Sequence, residues 1–257
     1  MNNDIHTVST PTSDIAIIIP AYNEEKSIRC IVEKTLLYAV HVIVINDGSQ
    51  DNTASQLTGL PIVLLQHPKN LGKGVSLLRG FKYAQSLPIT ATISIDADTQ
   101  HDPDDIPKFI QIRHHYPDHL IIGARLHNKE NAPKSRYIAN QIADFFISWA
   151  AGHRIIDSQS GYRLYPMRLL NECLKSFHPH KFAFESELLI DSSRRGYRSA
   201  SIAIHSHYPQ NSRSSHYRPF LDTTKIISMV TWKIVSRGFC LPGLLRILLK
   251  PGMTLPT

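Results

Sequence analysis

The chain has 257 residues, of which 42% are hydrophobic and 19% charged. This is the composition of a folded domain, and it excludes disordered and fibrous proteins. No apolar run approaches the length of a membrane span, and the polar N-terminus lacks the basic and apolar regions of a secretory signal. The three cysteines are far apart, which argues against a disulfide framework and suits a reducing compartment.

The formal net charge is +7, and it is concentrated near the C-terminus. Residues 194–257 contain ten Lys or Arg but only one acidic residue, Asp222, whereas residues 1–193 contain 18 basic and 20 acidic residues. A basic segment of this kind indicates an anionic partner, such as a phosphate, an acidic membrane or a nucleic acid. The alternative is a solvated basic surface that only aids solubility.

Strand-length apolar runs alternate with helical stretches through the first half of the chain. Strands are predicted at Ile15–Pro20, Val40–Ile45, Ile62–Leu65, Thr90–Ile95 and Leu120–Gly123. Helices are predicted at residues 24–38, Asp51–Leu57, Gly72–Ser86 and Pro103–His115. This alternation predicts an α/β fold with a mostly parallel sheet and helices on both faces. Ligands of such sheets bind at the carboxyl ends of the strands.

The second half has fewer strand patterns and more helix. Helices are predicted at Ser135–Ala151, Pro166–Phe177, Phe184–Arg195 and Phe220–Val235, and a strand at Ala200–His205. No internal repeat or linker is evident. We therefore expect a flexible N-terminus at residues 1–13, one domain over residues 14–219, and a basic amphipathic helical segment over residues 220–257.

Two carboxylates, Asp96 and Asp98, follow the fourth predicted strand. Without a cation, acids at positions i and i+2 of a strand-to-loop bend would repel and raise each other's pKa. Oxygen ligands suit Mg²⁺ or Mn²⁺, and Mg²⁺ is usually held by one or two carboxylates together with substrate phosphates. The pair therefore indicates a divalent metal site. The alternative is that these acids only cap the following helix.

Other polar groups fall at neighbouring strand ends. Tyr22 and Glu24 follow the first strand and Asp47 follows the second. Together they would place an aromatic ring and carboxylates in one crevice suited to a nucleoside. Lys73, between two glycines at a helix N-terminus, suits a phosphate. Taken singly, each of these segments is equally consistent with an ordinary turn.

The order of these motifs resembles the family 2 glycosyltransferases, over roughly residues 14–208. The segments that carry the resemblance are Ile18–Glu24 (IIPAYNE), Val44–Thr53 (VINDGSQDNT), Asn70–Gly74 (NLGKG), Ile95–Pro103 (IDADTQHDP), Gly123–Arg125 (GAR), Asp157–Arg163 (DSQSGYR) and Phe184–Leu189 (FESELL). The most similar subgroup is that of the dolichyl- or polyprenyl-phosphate mannosyltransferases and glucosyltransferases. The resemblance implies a GT-A fold, a nucleotide-sugar donor and inversion at the anomeric carbon.

The resemblance also implies roles for individual residues. It places Pro20, Tyr22, Glu24 and Asp47 at the nucleoside and Lys73 near the base or diphosphate, with Asp96 and Ala97 at the donor. It places Asp96, Asp98 and Gln100 at the metal and diphosphate, and Arg125, Arg136 and Arg213 at donor or acceptor phosphates. It makes Asp157 a base or sugar ligand beside a catalytic Arg125. Two features depart from the family. Asn46 stands where an Asp is usual, which would alter donor preference if that position reads the base. The membrane-spanning helices that follow in many lipid-phosphate members are also absent.

We therefore expect an inverting, metal-dependent transferase that moves a hexose from GDP-mannose or a UDP-sugar to a membrane lipid, with a polyprenyl phosphate as the favoured acceptor. The first alternative is a soluble family 2 glycosyltransferase with a hydroxyl acceptor. A nucleotidyltransferase and a basic nucleic-acid-binding protein are less favoured, since the chain lacks their motifs.

The C-terminal segment interleaves apolar residues with Lys and Arg, which predicts binding at the interface of an anionic membrane. A peripheral location on the cytoplasmic face of the membrane follows as the expectation. The alternatives for this segment are a helix packed on the domain and a homodimer contact.

Overall fold

The computed structural model describes residues 10–126, 134–176, 184–205, 219–236 and 238–256. Within these ranges, the side chains of residues 134–136, 176 and 219–226 are also outside the description.

A single seven-stranded sheet forms the centre of the described structure. Its strands are β1 (Thr12–Ala21), β2 (Ala39–Asn46), β3 (Val63–Gln66), β4 (Ala91–Ser94), β5 (Leu120–Ala124), β6 (Arg163–Pro166) and β7 (Ser199–Ala203). The strand order is β3-β2-β1-β4-β6-β5-β7. Strand β6 is antiparallel to both neighbours, β4 and β5, and the other pairs are parallel. The expectation of a mostly parallel α/β sheet is confirmed.

Helices cover both faces of the sheet. They are α1 (Ile28–Leu36), α2 (Lys73–Ala84), α3 (Ile106–His115), α4 (Lys134–Ala151), α5 (Met167–Cys173), α6 (Phe184–Arg194), α7 (Pro219–Val235) and α8 (Leu241–Leu249). Short 3₁₀ turns lie at Ser55–Leu57, Pro103–Asp105, Leu174–Ser176 and Gly238–Cys240. Among the described helices, none combines the length and the apolar character needed to cross a membrane.

The alternating side chains of the central strand divide the core in two. Ile18 of β1 belongs to the cluster beneath α2 and α4 to α7, and Ile17 and Ile19 belong to the cluster beneath α1 and α3. Because successive side chains of a strand point to opposite faces, a continuous apolar run is what a strand covered on both sides requires.

Three sequence predictions differ from the structure. Strand β6 was not predicted, because its four residues join a polar loop directly to a helix and are too short to show a period. The helix predicted at Asp51–Leu57 is only the 3₁₀ turn Ser55–Leu57. The helix predicted at residues 24–38 is limited to Ile28–Leu36, since the backbone N–H groups of residues 23–25 donate to side chains of the loop after β2.

The described part of the C-terminal segment packs on the same body. Val230, Ile234 and Ile247 are buried, and α7 and α8 both contact α4. Beyond α8 the chain runs beside β7, where Ser201 N donates to the Met253 carbonyl at 2.9 Å and Leu255 N donates to the Ser201 carbonyl at 2.8 Å. One face of the segment is therefore part of the fold.

Candidate active site

The carboxyl ends of β1, β2, β4 and β5 meet at one edge of the sheet. In β1 and β2 the last residues, Ala21 and Asn46, are directly paired. The loops that follow these strands carry the side chains that the sequence singled out. This is the expected crevice of a parallel α/β sheet.

The loop after β1 is bonded to the loop after β2. Asn23, at φ 58°, accepts a hydrogen bond from Gln50 N at 2.8 Å, and its own N–H donates to Ser49 Oγ at 3.0 Å. The N–H of Glu24 donates to Thr53 Oγ1 at 2.8 Å. These bonds give the two loops one fixed shape. They bring Pro20, Tyr22 and Glu24, all half-buried, to the edge where the nucleoside was predicted.

Asp47, in contrast, is buried and directed into the protein. Its carboxylate accepts hydrogen bonds from Leu71 N at 2.9 Å and Gly72 N at 2.8 Å, and it lies 2.7 Å from His67 Nδ1. These contacts anchor the loop that precedes Lys73. The structure thus gives Asp47 a positioning role, and its contact with a nucleoside stays a prediction.

Asn46, which stands where the family usually has Asp, is also buried. Its side-chain oxygen accepts from Ser49 N at 3.1 Å and closes the turn after β2. The neighbouring Gly48 has φ 69°, and a Cβ there would collide with the backbone of Lys69. This turn can therefore be built only with glycine, and it holds Asn46 inside the loop.

Lys73, at the start of α2, bridges two carboxylates. Its Nζ lies 2.6 Å from Asp96 Oδ1 and 3.1 Å from Glu185 Oε2. Burial acts to raise the pKa of Asp96, but the Lys73 ammonium outweighs it and holds the pKa below its usual value. Burial acts to lower the pKa of Lys73, and the two carboxylates raise it overall. Lys73 and Asp96 are therefore both ionised at neutral pH.

Gly161 leaves little room beside this triad. A Cβ on Gly161 would come within 2.5 Å of both Asp96 Oδ2 and Lys73 Nζ. The carbonyl of Gly161 also accepts from Ser94 Oγ at 2.7 Å, which fixes the loop against β4. The loop after Asp157 thus reaches the carboxylates that follow β4.

Asp98 follows Asp96 on a tight bend. Its Oδ1 accepts from Gln100 N at 3.0 Å, and Thr99 between them has φ 63°. Ala97 is buried beneath the bend, whereas Asp96 and Asp98 remain partly exposed. His101 is buried, and burial lowers its pKa to about 4, so its ring is neutral.

This donor set suits a hard divalent cation. No group of three His, Cys, Asp or Glu side chains converges on a common metal position within the described residues. Mg²⁺, however, needs only one or two protein carboxylates when phosphates and water complete its shell. The Lys73 ammonium at Asp96 shows that this oxygen already faces a cation. The residues present therefore fit the metal that the sequence predicted.

The second charged pair joins Arg125, after β5, to Asp157. Arg125 donates from Nε to Asp157 Oδ2 at 2.9 Å and from an Nη to Oδ1 at 2.6 Å, and its backbone N donates to Oδ2 at 3.0 Å. Burial acts to raise the pKa of Asp157, but Arg125 holds it below its usual value. Asp157 is therefore an ionised carboxylate whose two oxygens are both engaged.

Asp144 supports this pair from the middle of α4, and sequence reasoning missed it. It accepts from Asp157 N at 3.2 Å, from Ser158 N at 2.8 Å and from Ser158 Oγ at 2.5 Å. Burial and the charge of Asp157 raise the pKa of Asp144 to about 6, although its hydrogen bonds oppose the shift. A lone acid among the apolar residues of a predicted helix is the only sequence signal for this role.

Arg163, at the start of β6, is buried and binds three carbonyls. Its guanidinium donates to Ser160 O at 2.7 Å, Ser158 O at 2.6 Å and Glu185 O at 3.0 Å. It therefore ties the loop over residues 157–161 to the helix that carries Glu185. Sequence reasoning quoted Arg163 and Glu185 within motifs but gave neither a role.

Two predicted phosphate-binding residues fall outside this description. Arg213 is outside the described residues, and Arg136 lies in α4 with its side chain outside the description. Their roles stay predictions.

A family model matches most of the chain. The model described as "Glycosyl transferase family 2" matches residues 16–188, which include both charged pairs.

Curated relatives are also similar. A UDP-N-acetylglucosamine–dolichyl-phosphate N-acetylglucosaminyltransferase of Methanococcus voltae is 28% identical, over 77% of this chain and 87% of that protein. A dolichyl-phosphate beta-glucosyltransferase of Trichomonas vaginalis is 27% identical, over 73% of this chain and 62% of that protein. An undecaprenyl-phosphate 4-deoxy-4-formamido-L-arabinose transferase of Yersinia pestis is 25% identical, over 77% and 61%.

Solved structures share the architecture. The glucosyl-3-phosphoglycerate synthase of Mycobacterium tuberculosis, crystallised with Mn²⁺, UDP and glucosyl-3-phosphoglycerate, has a TM-score of 0.64. It is 19% identical and covers 88% of this chain and 80% of its own. This likeness confirms the GT-A-like α/β fold expected from the sequence. The chain is a glycosyltransferase and belongs to glycosyl transferase family 2.

Proposed function

We propose that this glycosyltransferase moves a hexose from GDP-mannose or a UDP-sugar to the phosphate of a polyprenyl lipid, with inversion at the anomeric carbon. The observation that carries the proposal is the buried pair of Arg125 and Asp157, which lies beside the carboxylates that follow β4. It offers a fixed guanidinium to an anionic acceptor.

The donor would bind where the loops after β1, β2 and β4 meet. Asp96 and Asp98 would hold Mg²⁺ or Mn²⁺, which neutralises negative charge on the departing diphosphate. Lys73 adds a positive charge at the same place, and a helix N-terminus favours phosphate there. Asp47 would act one step removed, because it fixes the loop that delivers Lys73.

The state of Asp157 favours a phosphate acceptor over a hydroxyl. A general base is most effective when its pKa lies near the working pH and an oxygen is free to take the proton. Asp157 has a lowered pKa, and Arg125 occupies both oxygens. A phosphate acceptor is already anionic, so it needs a cation to position it and no base.

The relatives support the same class of acceptor. Their names specify dolichyl phosphate in Methanococcus voltae and Trichomonas vaginalis, and undecaprenyl phosphate in Yersinia pestis. The Mycobacterium tuberculosis structure was crystallised with Mn²⁺ and UDP, which agrees with use of a divalent metal together with a nucleotide donor.

A direct test compares polyprenyl phosphate with the matching polyprenol across a panel of nucleotide sugars. We expect glycolipid and nucleoside diphosphate in equal amounts from the phosphate only, loss of transfer in EDTA, and recovery with Mn²⁺. Preferential transfer to the polyprenol would establish the hydroxyl-acceptor alternative. Release of pyrophosphate would establish a nucleotidyltransferase.

We further propose that the protein binds the cytoplasmic face of an anionic membrane through its C-terminal helices. Trp232, Leu245 and Leu249 are exposed, and Arg246 and Lys250 lie exposed among them. Each basic residue near an anionic surface contributes about 1 kcal/mol, and this attraction is screened by salt. The apolar side chains add binding that salt does not screen.

Vesicle flotation tests this location. Binding to anionic vesicles should weaken as salt rises without vanishing, and Leu249→Asp should reduce it. Leu37→Asp, at an exposed leucine after α1, is the matched control. Point substitutions are preferable to truncation before Trp232, which would remove the buried Ile234 and Ile247. Equal binding to neutral and anionic vesicles, or no binding, would refute the location.

A further inference from the structure

Asp157 adopts a backbone conformation that is uncommon for residues other than glycine. Its φ is 54°, in the left-handed region. Such a conformation persists where the surrounding structure fixes the residue from several sides, and it is frequent at functional sites. The groups that fix Asp157 come from α4, from β7 and, through β7, from the chain that follows α8.

The peptide unit between Ile156 and Asp157 is held at both ends. Its N–H donates to Asp144 Oδ2 of α4 at 3.2 Å, and its carbonyl accepts from Ser201 Oγ of β7 at 3.2 Å. The N–H and the carbonyl of a trans peptide point in opposite directions, so the two bonds fix the plane of this unit. The φ angle of Asp157 is measured from that plane. The two bonds therefore help to aim the carboxylate that binds Arg125.

Ser201 is in turn held by residues 250–255, which we call the C-terminal strap. Ser201 N donates to the Met253 carbonyl at 2.9 Å, and the Ser201 carbonyl accepts from Leu255 N at 2.8 Å. Leu255 is buried in the core cluster beneath α1 and α3. The strap thus lies along the edge of β7 opposite β5, and it fixes the backbone of the residue whose hydroxyl binds the Ile156 carbonyl.

The strap also packs directly on Ile156. A Cβ on Gly252 would lie 2.6 Å from Ile156 Cγ1 and 2.8 Å from its Cδ1. The backbone bonds to Ser201 are enough to cover the edge of a sheet. The close approach of Gly252 is a separate contact, made at the residue that precedes Asp157.

We propose that Ser201 and Gly252 are positioning residues for the acceptor side of the reaction. Through the peptide unit before Asp157, they hold the carboxylate that orients Arg125. Both residues lie outside residues 16–188, the part of the chain that the family model matches. The inference rests on the proposed function only in naming the acceptor. The strap follows α8 directly, so a short segment connects the helix proposed to meet the membrane with the acceptor loop.

Kinetics with a polyprenyl phosphate in detergent micelles test the role of Ser201. Ser201→Ala removes the hydroxyl from the Ile156 carbonyl. We expect KM for the acceptor to rise on the order of fivefold, as the loss of one hydrogen bond predicts, while kcat and nucleotide affinity are kept. Ser199→Ala is the matched control, because Ser199 is also buried on β7 but its hydroxyl lies 2.7 Å from His153 Nε2.

A double-mutant cycle tests the contact made by the strap. Gly252→Ala should raise the same KM, because the added Cβ presses on Ile156. Ile156→Ala removes the two carbons in the way, so Gly252→Ala should have no further effect in that background. Met253→Ala, which changes an exposed side chain of the strap and keeps its carbonyl, is the control. Equal effects of Gly252→Ala in both backgrounds would refute the contact.

Amide hydrogen exchange without substrates separates this inference from the proposed function. We expect faster exchange at the N–H groups of Asp157 and Ser158 in Ser201→Ala and Gly252→Ala, with exchange in β1 unchanged. If these amides respond but no sugar reaches any lipid phosphate, the proposed function fails and the hold on Asp157 stands. Faster exchange with an unchanged KM for the acceptor would make the strap a structural feature only and overturn the inference. Unchanged exchange together with an unchanged KM would also overturn it and leave the proposed function intact.

Discussion

The two charged pairs of the site differ in how firmly the protein holds them. The Lys73–Asp96 pair is partly open, with side-chain exposures of 38% and 24%, and Lys73 is shared with Glu185. The Arg125–Asp157 pair is bidentate, with exposures of 9% and 13%, and a backbone N–H reinforces it. Under the proposed function, the open pair would exchange its cation when donor and metal bind, whereas the closed pair would present a fixed guanidinium to the acceptor.

Substitutions on the two sides of the site should therefore have different effects. Loss of a carboxylate on the donor side removes charge where the leaving group departs. Loss of a contact on the acceptor side releases a loop that several buried hydrogen bonds hold in place. Catalysis should respond most to the first and folding stability most to the second.

The largest expected effect is on Asp98, at the open side. Asp98→Ala should lower turnover on the order of 10³-fold, because it removes a predicted metal oxygen from an exposed bend without disturbing the core. The rise in melting temperature that Mn²⁺ and a nucleoside diphosphate cause together should also be lost in this variant. Asp118→Ala, at an exposed aspartate before β5, is the control. Full activity in either Asp98→Ala or EDTA would remove the metal from the reaction.

Asp157→Asn tests the closed pair directly. The substitution keeps the shape but removes the charge opposite the buried Arg125, which should destabilise the fold by about 3 kcal/mol in urea unfolding. With a phosphate acceptor, the loss of rate should be modest and insensitive to pH. A rate loss of roughly 10²–10⁴-fold that depends on pH would instead identify Asp157 as a general base. Unchanged kinetics would exclude the residue from the mechanism.

Asp144 tests whether loop position controls the acceptor. Asp144→Ala leaves two part-buried N–H groups without their acceptor, which should cost about 2 kcal/mol. We expect KM for the acceptor to rise roughly tenfold while nucleotide affinity is kept, since the loops after β1 and β2 are bonded to each other and not to Asp144. Asp144→Asn, which keeps one acceptor oxygen, should be milder. A parallel loss of nucleotide affinity would contradict the separation of the two sides.

The pH dependence of stability gives Asp144 and Asp157 opposite signs. The folded protein binds the Asp144 proton more tightly than the unfolded chain does, so the stability this group contributes is lost as pH rises from 3.8 to about 6. The lowered pKa of Asp157 contributes stability that is lost as pH falls below its usual value. Urea unfolding across this range should show the first component in the unaltered protein and lose it in Asp144→Asn. If the free energy of unfolding of Asp144→Asn depends on pH as in the unaltered protein, another group is responsible for this component.

The smallest effect is expected at Gly161, which lies where the two sides meet. A methyl group there would press on Asp96 and on the flexible end of Lys73, which can give way by a small movement. Gly161→Ala should therefore raise KM for the donor a few-fold, on the order of 1 kcal/mol in binding, with little change for the acceptor. Gly161 is not among the glycines with positive φ, so the effect of the substitution would come from these side-chain contacts and not from backbone strain. A rise in KM for the acceptor alone would contradict the assignment of this contact to the donor side.

The sequence by itself determined the α/β architecture and placed several polar residues at the edge of the sheet where the donor is proposed to bind. Continuous apolar runs such as Ile15–Pro20 have few structures open to them other than a doubly covered strand. Polar residues immediately after such runs must then lie at one edge of the sheet. Tyr22, Lys73, Asp96 and Asp98 could be located in this way, because each lies next to a strand or helix end that the local pattern marks.

Only the tertiary structure decided the acceptor side and the covering of α4. Strand β6 is too short to show a period, yet it inserts antiparallel between β4 and β5 and brings Gly161 to Asp96. Asp144 contacts a loop more than ten residues away, and Asp47 anchors a loop more than twenty residues away. The apolar pattern of α4 showed that it has apolar faces but not which of them the core would cover. That choice depends on the helices packed beside it, which local sequence does not encode.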